Sequence, residues 1–257
     1  MSGKKERAYE LDFARGLAMI AMLYMHFSWD MRYEFGVHAF SYLEKGWFWA
    51  FLHPMIITGF VGVSGVCTAF SRNNFKRGLK LLAVALGLTL ATWLVTTYAG
   101  ISCLIIFNVF AVLSVSILVY ALIELLEKKL GLDPKVTNVL MALFAIYICL
   151  VGADLWNMDY STENLLFLPI GFAIHGAPDM ADYMPLIPHL GIFLFGSIIG
   201  RLCYKDRKSV FPARSDIAKK LMSPVEFIGR HSLIIYIVHQ PVMYGLLYVI
   251  FLLLGKI

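Results

Sequence analysis

Residues 11–30, LDFARGLAMIAMLYMHFSWD, decide how the whole chain is read. The stretch has the length of a bilayer crossing, about 20 residues, yet it holds Asp12, Arg15, His26 and Asp30. At about 100° per residue these four side chains fall within an arc of roughly 60°, with Gly16 beside them. The step from Asp12 to Asp30 rises about 27 Å, close to the thickness of the hydrocarbon layer. A stripe of this kind cannot face lipid, so it faces other helices or a cavity. The segment reads as a membrane helix with a polar inner face.

The rest of the sequence agrees. Of 257 residues 60% are hydrophobic and 15% charged, whereas soluble domains carry nearer a quarter charged. Apolar runs long enough to span recur along the chain, which predicts an all-α, polytopic transmembrane helical bundle forming a single domain, 1–257. About seven spans satisfy both length and charge: 11–29, 47–70, 79–98, 102–122, 136–153, 185–203 and 232–254. The segment 163–176 is apolar but too short to cross, and reads as re-entrant or interfacial on the outer side.

Lys and Arg cluster in SGKKERAYE, SRNNFKRGLK, EKKLGLDPK and RLCYKDRKSVFPARSDIAKK. Asp154, Asp159, Glu163, Asp179 and Asp182 fall in a stretch with neither. The positive-inside rule then places the basic segments and the N-terminus in the cytoplasm, and the acidic segments and the C-terminus outside. The expected localisation is the cell membrane; in such a protein the net charge of +5 matters through where the charges lie, and no nucleic-acid partner is expected. The N-terminal stretch shows no small-residue cleavage site, so the first apolar segment is expected to be retained. Cys67, Cys103, Cys149 and Cys203 lack metal-ligand spacing and read as small buried apolar residues. Gly59, Gly62 and Gly65, and the Gly196/Gly200 pair, read as points of close helix approach.

Chemistry concentrates at the two ends. Asp12 and Arg15 are able to neutralise one another near an interface. His26 and Asp30, four residues apart, resemble a base and the carboxylate that orients it. In GRHSLIIYIVHQPV, Ser232, Tyr236, His239 and Gln240 share a helix face. Pro241 frees the carbonyl of Ile237 there, predicting a broken or kinked helix lining a polar cavity. Arg230 and His231 sit at the cytoplasmic end, where an anionic ligand or lipid phosphates would meet them. His53 is placed in the second span, Asn108 buried within the fourth, His38 in the first outer loop, and His175 and His189 beside the acidic outer segment. None of these histidines has ligand spacing, and no metal is expected.

The motifs RAYELDFARGLAMIAMLYMHFSWD and FIGRHSLIIYIVHQPV resemble those of the bacterial membrane proteins grouped with heparan-α-glucosaminide N-acetyltransferase. ADYMPLIPHLGIFLFGSIIGRLCY is similar to the family's penultimate span. Arg15 and His26, ten residues apart in the chain between them, also resemble the Arg-x10-His motif of the acyltransferase-3 O-acyltransferases. The resemblance implies transfer of an acyl group, acetyl above all, from cytoplasmic acyl-CoA to a hydroxyl or amine of a sugar-type acceptor on the outer face. It implies His26 as base or acyl relay, oriented by Asp30, with His239 and His38 as the other catalytic candidates. His38 is nearest in place to the loop histidine of the larger family enzyme. Asp12, Arg15, Arg230, His231, Tyr236 and Gln240 are the candidates for binding the CoA donor, aided by Arg72 and Arg77. The partners implied are acyl-CoA, a saccharide or other small acceptor, and lipid, with a homodimer left open. A proton-coupled or small-molecule transporter is the rival reading, since intramembrane Asp, Arg and His serve that role as well; a non-enzymatic scaffold is the third.

Overall fold

The computed structural model describes residues 8–158, 161–211 and 214–256. Lys4, Lys5, Arg7 and Asp159, part of the charge pattern above, lie outside the described residues. The long helices are α1 Tyr9–Trp29, α2 His53–Val66, α3 Asn74–Leu94, α4 Val109–Leu130, α5 Pro134–Asn157, α6 His189–Cys203, α7 Asp216–Arg230 and α8 Ser232–Leu253. Single π-helical turns extend α1 over Asp30–Glu34, precede α2 over Phe48–Leu52 and extend α3 over Val95–Ala99.

Local chemistry sets where these helices begin. Asn73 caps α3 by accepting from the Lys76 N–H, and Asp133 caps α5 by accepting from Lys135, with Pro134 in the first turn. Ser215 does the same for α7 through Ala218. Each satisfies a main-chain donor that a helix start leaves unpaired. Gly131 ends α4 in the left-handed conformation at φ +64°, where a side chain would be strained.

Five segments are long and apolar enough to cross a membrane: Phe48–Phe70, Asn74–Ala99, Val109–Leu130, Pro134–Leu155 and Ser232–Leu253, with His189–Cys203 a shorter apolar helix. The chain is an all-α, multi-pass membrane protein. At 21 residues α1 is long enough, but its charged stripe keeps it out of the five. Large apolar side chains such as Leu86, Leu90, Leu143, Tyr147 and Leu246 are exposed, as expected of helix faces solvated by lipid.

The structure departs from the sequence reading at the start of the fourth helix and in the course of the last. The fourth helix starts at Val109 rather than 102, because residues 101–107 find other partners for their main chain. Ile105 N–H donates to Thr92 Oγ1 at 3.1 Å, Cys103 N–H to Thr96 Oγ1 at 3.3 Å, and Leu104 and Phe107 carbonyls accept from Ala181 and Met184 at 2.9 Å. Asn108, expected inside that helix, is instead its buried cap, accepting from Phe110 and Ala111 N–H. Asn108→Ala should therefore cost about 1–2 kcal/mol, the usual value of a cap, read as a lowered thermal midpoint in micelles; an unchanged midpoint would mean the cap is dispensable. The last helix runs unbroken through Pro241, the break expected there being avoided because one missing main-chain bond is tolerated in a membrane helix. Residues 163–176 hold no spanning helix. They form a short 3-10 helix, Leu165–Ile170, between two-residue strands, β1 Ser161–Thr162 and β2 Ala173–Ile174, paired in parallel. The four cysteines are free, three half-buried and Cys203 exposed, rather than fully buried as expected; Cys103 lies in the non-helical stretch before α4, and Cys149 faces Gly191 of α6.

The chain divides into two compact units, residues 1–63 with 207–257, and residues 64–206. In the first, α1 packs on α7 and α8. A Cβ added at Gly16 would lie 2.0 Å from the Val225 carbonyl oxygen, and one at Gly229 would lie 1.8 Å from that of Asp12. Main chain thus meets main chain, which only glycine permits. In the second unit α3 packs on α4, and α6 on both α4 and α5. Gly65 and Gly200, from the two small-residue motifs, meet there: Gly65 against the Phe193 carbonyl, Gly200 against that of Val66.

Candidate active site

All the elements that carry the two end motifs belong to the first unit. On α1, His26 and Asp30 stand one turn apart at the junction with the π-helical turn; Asp30 is 2% exposed. On α8, Tyr236, His239 and Gln240 face them. The imidazoles of His26 and His239 meet edge to face, ring centroids 5.0 Å apart and planes at 66°. The Tyr236 ring lies 5.2 Å from that of His239 and 6.3 Å from that of Phe60 on α2.

Two hydrogen bonds define the chemistry. His239 Nδ1 lies 2.5 Å from the Tyr236 carbonyl. A carbonyl only accepts, so Nδ1 carries the proton and the lone pair is left on Nε2, a buried atom. The Asp30 carboxylate is bound by Gln240, whose Nε2 donates at 2.9 and 3.0 Å to its two oxygens. The sequence reading gave Asp30 to His26; among the described residues its hydrogen-bond partner is Gln240. The i, i+4 spacing brings His26 and Asp30 to one face, but both point at α8, and the longer amide reaches the carboxylate.

The remaining candidates lie elsewhere. Asp12 is buried and Arg15 half-buried, at the contact of α1 with α7. Arg230 is exposed and 3.8 Å from buried Glu226, which also pairs with Arg214. Arg214 in turn lies 3.6 Å over the ring of Tyr9. His231 is exposed at the end of α7, its Nδ1 2.9 Å from the Phe227 carbonyl. His38 is exposed in the loop after α1, and among the described residues no hydrogen bond, ion pair or ring contact ties its imidazole to the cluster. Arg32 shapes that loop: its guanidinium pairs with Glu44 and donates to the Ala39 carbonyl at 2.8 Å, and the hydrogen bond to Glu44 holds its pKa above the ordinary arginine value.

Two features escaped the sequence reading. One is α7 itself, whose start lies in the basic segment 201–220; Ser215 as cap and the apolar recurrence Ile217, Leu221, Val225, Ile228 are its signal. The other is a polar cluster in the second unit. Arg201 on α6 pairs with Glu127 on α4, and Asn74 Nδ2 donates to Glu124 Oε2 at 2.9 Å, all near buried Tyr120. Its α4 signal was the run Ser116, Tyr120, Glu124, Glu127, a single helical face. Among the described residues no group of three or more His, Cys, Asp or Glu is arranged to hold a metal ion.

Comparison with known proteins adds one match. No curated protein and no solved structure is similar to the chain. The model of the family described as heparan-alpha-glucosaminide N-acetyltransferase, catalytic, matches residues 7–241, and with so much of its length matched, including both motifs whose side chains meet at His26 and His239, the chain belongs to that family of membrane acetyltransferases.

Proposed function

We propose that the chain moves an acetyl group from acetyl-CoA, arriving at the cytoplasmic face, to the amine of an amino-sugar acceptor on the outer face. The observation that carries this reading is the His26–His239 pair with the tautomer of His239 fixed by the Tyr236 carbonyl. A base needs a lone pair on a defined nitrogen, and Nε2 of His239 supplies it. As the acceptor nitrogen attacks the thioester carbonyl carbon, Nε2 takes its proton. The tetrahedral intermediate then collapses, the C–S bond breaks, and the departing thiolate takes the proton back from the imidazolium, releasing CoA as the thiol. His26, edge-on to His239, supports the charged ring and relays the proton. Arg15 and Arg230, at the far end of α1 and the α7–α8 junction, are the cationic groups for the phosphates of CoA, with the His231 imidazole beside Arg230 as a further contact. Asp12, beside Arg15, holds the end of α1 where that anion would dock. His38 is the alternative base should the acceptor bind in the loop after α1.

Purified protein incubated with radiolabelled acetyl-CoA and a set of amino sugars should release CoA and move the label to the sugar in equal amounts. Absence of CoA release with every amine tested would overturn the reading.

A further inference from the structure

Gln240 is held in one orientation. Its partner Asp30 is a buried carboxylate that only accepts, so the amide nitrogen must face it. The oxygen, Oε1, is thereby turned away, and it is buried without a hydrogen-bond partner among the described residues. An unpaired buried acceptor is costly unless something donates to it. Gln240 is also the immediate neighbour of His239, whose Nε2 is the other acceptor of the site.

We infer that Gln240 is a specificity-determining residue: Oε1 accepts a hydrogen from the reacting group of the acceptor, while Asp30 is the positioning residue that keeps Oε1 turned toward it. This rests on the acetyl-transfer reading. A primary amine has two N–H bonds when its lone pair attacks, one for Oε1 and one for His239 Nε2. A hydroxyl or a secondary amine has a single hydrogen, which the base requires, and so leaves Oε1 unpaired. The site selects a primary amine because two fixed acceptors must both be met.

The test uses the full chain in micelles, with glucosamine, N-methylglucosamine and 2-deoxyglucose as probes. It compares the wild type, Gln240→Leu and the double variant Asp30→Asn with Gln240→Glu. In the double variant the new amide at 30 donates to one oxygen of the new carboxylate at 240, leaving the other oxygen turned as Oε1 is now. The wild type should bind glucosamine about tenfold more tightly than 2-deoxyglucose, and acetylate it about tenfold faster than N-methylglucosamine, as expected for one buried hydrogen bond. Gln240→Leu should erase both preferences, and the double variant should restore them. Preferences that survive Gln240→Leu, that the wild type never shows, or that the double variant fails to recover despite normal CoA affinity would overturn the inference. If no sugar is acetylated but glucosamine affinity still depends on Gln240, the transfer reading falls and the binding role stands. If transfer proceeds with no dependence on Gln240, the reverse holds.

Discussion

Gly229→Val should prevent the first unit from assembling. The added Cβ would fall 1.8 Å from the Asp12 carbonyl oxygen and 2.9 Å from the Gly16 nitrogen. Neither atom belongs to a side chain that rotates away, so α1 and α7 would have to part. Overpacking of ordinary cores costs about 1–3 kcal/mol where side chains yield; here the main chain must move, and the loss becomes comparable with a total stability of about 5–15 kcal/mol. Gly16→Val, meeting the Val225 carbonyl at 2.0 Å, should behave alike. The measurement is recovery of monodisperse protein after detergent extraction, with thermal denaturation of what is recovered. Gly245→Ala on α8 is the control, since a Cβ there meets nothing within 4 Å; it should be neutral or stabilise by roughly 0.5–1 kcal/mol. A Gly229→Val protein with the wild-type midpoint would show that the two helices separate without cost.

His239→Ala should lower the rate of acetyl transfer by about 10²–10⁴-fold, the range general-base catalysis contributes. Its thermal midpoint and CoA affinity should stay near wild type, since His239 is half-buried and neither caps a helix nor fills a core position. His26→Ala should also lose activity. If the two rings pass one proton between them they act as a unit, and the double variant should then lose little more than His239→Ala alone. Strictly multiplicative losses would show instead that they work in separate steps. Wild-type kcat in His239→Ala would remove Nε2 from the chemistry and return the role to His26 or His38.

Which parts of this site were legible in the sequence follows from the range of each signal. Helical periodicity acts over a few turns, so the stripe Asp12, Arg15, His26, Asp30 and the face Ser232, Tyr236, His239, Gln240 were both readable as faces. That one face meets the other is a tertiary fact, spanning 210 residues between Asp30 and Gln240, and no local pattern encodes it. Asp30 was given to its nearest neighbour in sequence for that reason. Hydropathy recovered the apolar spans but misplaced the start of α4, because a window average cannot see that threonine hydroxyls on α3 take up the main chain of 101–107. It also passed over α7, whose apolar stripe is diluted by Lys219, Lys220 and Arg230.

The Asp30–Gln240 bond has a consequence in time. At about 5–20 residues per second, a ribosome needs roughly 10–40 s to make the 210 residues between them. Through that interval α1 carries a buried carboxylate whose partner does not yet exist. Biogenesis therefore has a vulnerable stage in which α1 must be sheltered until α8 arrives.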